Sequence, residues 1–164
     1  MNPSKDIIAL SERYLSRMYR HYYPFVPDRA VDDIVYSIDG DAYIDLYAGV
    51  SIVNVGWSNQ SVIRAVEAQM RKLFHTSSLY YLDYTARLAK RLSELSPGGA
   101  LTKSFFTNSG SEANETAISL VKRVKKRPYI IALHRSFHGR TFYAMSALGQ
   151  SSWKVGLGPF APVV

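Results

Sequence analysis

The sequence contains no cysteine. That absence excludes disulfides, thiolate zinc sites and a cysteine nucleophile, and leaves the compartment open. No apolar run reaches the ~20 residues that a membrane-spanning helix needs. The opening Met1-Asn2-Pro3-Ser4-Lys5-Asp6 lacks the apolar core of a secretory leader. A cytoplasmic location with no membrane partner is therefore expected. Internal repeats and low-complexity tracts are missing as well.

What is present is a chain of 164 residues, 47% hydrophobic, with a formal net charge of +7. That length suits one domain of ordinary size. Much of the charge sits in Lys122-Arg123-Val124-Lys125-Lys126-Arg127. Cations there oppose the negative pole of a helix end. No aromatic residue interleaves with the block as a base-stacking groove requires, so no nucleic-acid partner is expected.

Periodicity divides the chain. Residues 4–22 read as a helix, with Ser4 as its N-cap. Pro24 and Pro27 then impose an extended connection. Ile34, Tyr36 and Ile38 alternate before Asp39-Gly40, and Tyr43-Ile44-Asp45-Leu46-Tyr47 follows, which predicts a β-hairpin. Residues 48–57 read as an apolar, glycine-punctuated loop or short strand. Helices are predicted over residues 59–74 and 84–95, the second stopped by Pro97-Gly98-Gly99. From Lys103 the rhythm becomes strand (103–107), helix (110–126) and strand (129–133), the pattern of an α/β sheet. Ala113, Ala117, Leu120, Val121 and Val124 form the apolar stripe of that helix. A short helix over 141–148 follows. So few candidate strands would leave a sheet edge exposed, and the sequence reads as cut, or split from a partner, within an α/β domain.

Two motifs carry chemistry. Thr107-Asn108-Ser109-Gly110-Ser111-Glu112 joins the first strand to the long helix. Ser109 and Glu112 have capping-box spacing, which fixes the helix start near Gly110. A glycine there admits a ligand to the backbone, and the first-turn N–H groups suit a phosphate. Ser111 adds a hydroxyl. A simple tight turn is the competing reading. The second motif, Ser136-Phe137-His138-Gly139-Arg140-Thr141, follows the second strand. Phe137 suits stacking on a planar heterocycle or capping a core. His138 suits orienting a ring or a surface role. Arg140 suits a carboxylate or plain solvent.

Together these motifs, in this order and spacing, resemble the class III (subgroup II) aminotransferases, fold-type I enzymes that use pyridoxal 5′-phosphate. The resemblance extends upstream through Asp39-Gly40, Tyr43-Ile44-Asp45-Leu46, Ala48-Gly49-Val50 and residues 88–98, and covers about Tyr36 to Gln150. It implies the N-terminal part of that fold: a helix and β segment over residues 1–57, then an incomplete first part of the large cofactor-binding α/β domain over 58–164. It implies that Gly110 and Ser111 bind the cofactor phosphate and that Phe137 stacks on the pyridine ring beside His138. It further implies that Arg140 binds a substrate carboxylate, that Val50 lies beside the substrate, and that residues 75–80 form a loop near a dimer's active sites.

The implied reaction moves an amino group from a 4-aminobutyrate-, ornithine- or alanine-type donor to a 2-oxo acid, in a homodimer or with a complementing C-terminal chain. The family's Schiff-base lysine and its pyridine-pairing aspartate lie downstream of the second motif, with no matching position here. The chain is therefore expected to be an N-terminal portion and inactive alone. A decarboxylase, racemase or aminomutase on the same fold, or a non-catalytic remnant, are the alternatives.

Overall fold

Asp39 and Gly40 turn the chain where the sequence predicts. The computed structural model describes residues 3–18 and 20–163. Met1, Asn2, Tyr19 (inside the helix expected over 4–22) and Val164 lie outside the described residues. The chain divides into two compact units, Met1–Tyr80 and Tyr81–Val164.

The first unit opens with α1 (Pro3–Tyr14), which stops well before residue 22. Ser16 explains the early stop: its hydroxyl accepts the Met18 N–H at 3.2 Å, a side-chain bond that competes with the helical one. Ser4 is not the N-cap but lies inside the helix, and its N–H donates to Asp39 Oδ1 at 3.3 Å. Next comes an antiparallel sheet of β1 (Pro27–Val31), β2 (Ile34–Ser37) and β3 (Ala42–Ile44), in that spatial order. Val31 faces Ile34 across the first turn, and Tyr36 faces Ala42 across the predicted hairpin. Strand β1 was hidden by Pro27 and by Pro24 just before it. Pro27 is the first residue of an edge strand, where a missing N–H costs little.

Residues 48–57 are neither loop nor strand throughout. Ala48, Gly49, Val50 and Ser51 have φ of 49°, 59°, 64° and 61°. Bonds from Ser51 N–H to the Tyr47 carbonyl (3.1 Å) and from Ile52 N–H to the Ala48 carbonyl (2.8 Å) close a turn of left-handed helix, α2 (Ala48–Ser51). Helix α3 (Gln60–Lys72) follows, capped by Asn59, whose side chain accepts from Ser61 and Val62.

The second unit begins with α4 (Asp83–Leu95) and a 3₁₀ turn, Pro97–Gly99. Helix α5 (Gly110–Lys125) starts where its capping residues dictate, and its basic last turn carries Lys122, Arg123 and Lys125. Helix α6 (Phe142–Ser146) and the two residues after it form the core of this unit: Ala144, Met145, Ser146, Ala147 and Leu148 are buried. The expected strands at 103–107 and 129–133 do not form a ladder. Residues 101–107 have no regular structure, and Ile130 makes a single parallel bridge to Val163. A strand exists only against a neighbour's N–H and C=O groups, and the described residues offer 103–107 none. The apolar stripe of α5 is likewise uncovered, with Leu120, Val121 and Val124 exposed. The mixed helix-and-sheet class holds. Among the described residues no helix is long and apolar enough to cross a membrane.

Candidate functional site

Ser109 caps α5 by accepting the Glu112 N–H at 3.2 Å, and the Glu112 carboxylate reaches back to the Asn108 N–H at 2.8 Å. This is a capping box displaced by one residue. It satisfies Glu112, while the Ala113 N–H goes to the Ser109 carbonyl at 3.0 Å. Among the described residues the N–H groups of Gly110 and Ser111 have no partner. Gly110 is exposed, with nothing within 4 Å of where its Cβ would stand. The helix therefore starts with two free donors at its positive pole.

The second motif lies against this helix start. The Ser111 hydroxyl oxygen accepts the Arg140 N–H at 3.3 Å. Its own proton stays free to donate outward. Gly139 makes the approach possible: a Cβ there would lie 2.7 Å from Ser111 Cβ and 2.9 Å from Ser111 Cα, and its φ of +127° disfavours any side chain. The loop is pinned from below. Asn114, one turn into α5, donates through Nδ2 to the His138 carbonyl at 2.7 Å. Glu115 accepts the N–H groups of Tyr143 (2.7 Å) and Ala144 (3.3 Å) at the start of α6.

The side chains of the loop are arranged around Trp153, on a short 3₁₀ turn (Ser151–Trp153). The Phe137 ring meets the indole edge-to-face, centroids 6.3 Å apart. The Arg140 guanidinium carbon lies 5.4 Å from the indole centroid. Phe137 is still 53% exposed, so its ring has surface left for a planar ligand. His138 is half-buried, and its backbone carbonyl takes the bond that ties the loop to α5. The structure thus gathers Gly110, Ser111, Phe137, His138 and Arg140 in one neighbourhood of the second unit.

Val50 lies in the first unit, 68% exposed on the left-handed turn. Asp45 holds that turn. Its carboxylate accepts from Tyr47 N–H (2.7 Å), Ala48 N–H (3.1 Å) and Trp57 Nε1 (2.5 Å). The Tyr47 N–H, then the Trp57 indole, hold its pKa below the ordinary value; desolvation opposes them, and the Ala48 N–H adds to the lowering.

Sequence reasoning missed Asn114, Glu115, Trp153 and Asp45. One signal was available: Asn114 and Glu115 are adjacent polar residues one turn past the cap, Asn114 at the edge of the apolar stripe and Glu115 on the face opposite it. Trp153 carried no local signal.

A family model for class-III aminotransferases matches residues 14–164. The chain belongs to that family. It is 36% identical over 160 residues to the acetylornithine aminotransferase of Methanothermobacter thermautotrophicus, covering 98% of this chain and 39% of the relative. The acetylornithine aminotransferase of Haemophilus ducreyi is 40% identical over 163 residues, covering 96% of this chain and 40% of the relative. Among solved structures, taurine:2-oxoglutarate aminotransferase from Bifidobacterium kashiwanohense, a complex with PLP and glutamate, matches with a TM-score of 0.85 at 24% identity. It covers 98% of this chain and 37% of that one. The chain therefore has the fold of the N-terminal part of a class-III aminotransferase and spans about two fifths of the relatives it matches.

Proposed function

We propose that this chain supplies the phosphate cradle and ring platform of a pyridoxal-phosphate-dependent aminotransferase. The donor would be an amino acid or amine of the acetylornithine or ornithine kind, and the acceptor a 2-oxo acid. The supporting observation is the pair of unpartnered N–H groups at Gly110 and Ser111 beside the docked 137–140 loop. Two convergent N–H donors, a free hydroxyl proton and a helix pole fit a phosphate dianion. When bound, the cofactor supplies an electron sink for a substrate carbanion.

Each residue then has a task. Gly110 and Ser111 hold the phosphate. Phe137 offers its exposed face to the pyridine ring, with His138 alongside. Arg140 takes a substrate carboxylate. Residues 1–57 would belong with the small-domain segment and 58–164 with the large domain. We assign the cofactor-bonding lysine to no position here: Lys122 Nζ donates to the Pro128 carbonyl at 3.0 Å and Lys154 Nζ to the Ser146 carbonyl at 2.7 Å. The chain alone would bind but not transaminate. Turnover would require a longer chain or a complementing one, in a dimer.

The test is binding of pyridoxine 5′-phosphate, which has no aldehyde and so does not react with surface lysines. Gly110→Pro removes one N–H while keeping the helix start, because proline is favoured at the first helical position and Ser109 is already extended (φ −152°, ψ 160°). Losing one hydrogen bond to a charged group predicts an affinity loss of about ten- to a hundredfold. Unphosphorylated pyridoxine should lose little. Equal affinity in the variant, or no binding by the parent chain, would end the proposal.

A further inference from the structure

Phe137 and Arg140 both converge on the side chain of Trp153. The rings of Phe137 and Trp153 are inclined at 72°, and the Arg140 guanidinium lies over the indole face. Arg140 also reaches the helix start through its backbone N–H on Ser111. A continuous path of contacts thus runs from the α5 N-terminus through Arg140 to Trp153 and on to Phe137. Phenylalanine and arginine side chains on a glycine-containing loop would otherwise sample several rotamers. A flat indole restricts both: an edge-to-face pair fixes the tilt of one, and a cation–π contact fixes the reach of the other.

We propose that Trp153 is a positioning residue of the cofactor site. It orients Phe137 toward the vitamin ring and keeps the Arg140 charge on the same side of the loop. It has no role in the phosphate cradle itself. This rests on the cofactor reading above.

Because the chain has two tryptophans, Trp57→Phe leaves Trp153 as the sole indole reporter. In that background, Arg140→Ala and Phe137→Leu should each change Trp153 emission in the ligand-free chain. Unchanged emission in both would overturn the arrangement. Binding gives the second readout. Trp153→Ala should weaken unphosphorylated pyridoxine and pyridoxine 5′-phosphate by the same factor, about fivefold. Inorganic phosphate affinity should not move. Trp153→Phe, which keeps an aromatic face, should restore most of the loss. A merely structural tryptophan would weaken all three ligands together, and that result would overturn the proposal. Should Trp153→Ala fail to fold, the phenylalanine variant still decides, through its ratio of pyridoxine to phosphate affinity against Trp153→Leu. If the parent chain binds none of the vitamers, the cofactor reading falls and this role falls with it. If the parent binds and the Trp153 variants bind equally well, only the role of Trp153 is lost.

Discussion

Asn114 Nδ2 donates to the His138 carbonyl at 2.7 Å, joining residues 24 positions apart. The bond ties the ring-bearing loop to the helix whose first turn carries the free N–H groups. It makes one body of two motifs that share no secondary structure.

Removing that bond should loosen the loop without unfolding the helix. Asn114→Ala is expected to lower stability by about 1 kcal/mol, the net worth of a typical hydrogen bond. Asn114→Asp loses the donor as well and should behave similarly. Limited proteolysis near residues 136–140 should accelerate in both. An aspartate variant as protected as the parent would contradict the assignment of the amide as donor.

Gly139→Ala should do more damage. The added methyl meets Ser111 Cα at 2.9 Å, a backbone atom that cannot rotate aside. The φ of +127° adds backbone strain. The loop must back away from α5, so both thermal stability and pyridoxine 5′-phosphate affinity should fall, the latter about tenfold or more. Ser111→Gly in the same chain should recover part of the stability. Calorimetric titration and thermal melts measure both effects.

The Asp45 carboxylate should give the first unit an acid limit. Its pKa is depressed in the folded chain, so its contribution is present above the ordinary aspartate value of 3.8 and is lost as pH falls through the lower folded value. Trp57 emission should change in that acid window, because protonation weakens its bond to the carboxylate. Asp45→Asn should abolish the titration. A titration that persists in the asparagine variant would place its source elsewhere.

Val50→Gly should stabilise the first unit, against the usual penalty for introducing glycine. A β-branched residue at φ 64°, ψ 50° carries strain on the order of 1–2 kcal/mol. Glycine relieves it, while costing about 0.5–1 kcal/mol through the freer unfolded chain. The thermal midpoint should rise modestly. A fall would mean that the valine side chain packs more tightly than its exposure indicates.

Local signals were legible and distant ones were not. The Ser109 cap, the Asp39-Gly40 hairpin and the Asn59 start of α3 each depend on residues within a few positions of one another, and the structure has all three. Both chemical motifs were visible as well, and α5 brings them together. The grip of Asn114 on the loop, and the place of Trp153 beneath Phe137 and Arg140, depend on chain folding across tens of residues. No periodicity encodes them. The apolar segments 103–107 and 129–133 were read as sheet strands because their composition asks for neighbours on both sides. Among the described residues 103–107 has no strand partner, and 129–133 has one bridge, from Ile130 to Val163. Composition reports what a segment requires, and pairing depends on what else is folded beside it.

The handedness of α2 inverts a familiar rule of stereochemistry. Its torsions at Gly49 and Val50 mirror those of an ordinary helix. A D-amino acid at position 50 would therefore sit more comfortably than the natural L-enantiomer. Chemical ligation could install one, and the turn would then act as a chiral gauge of how firmly Asp45 grips the backbone.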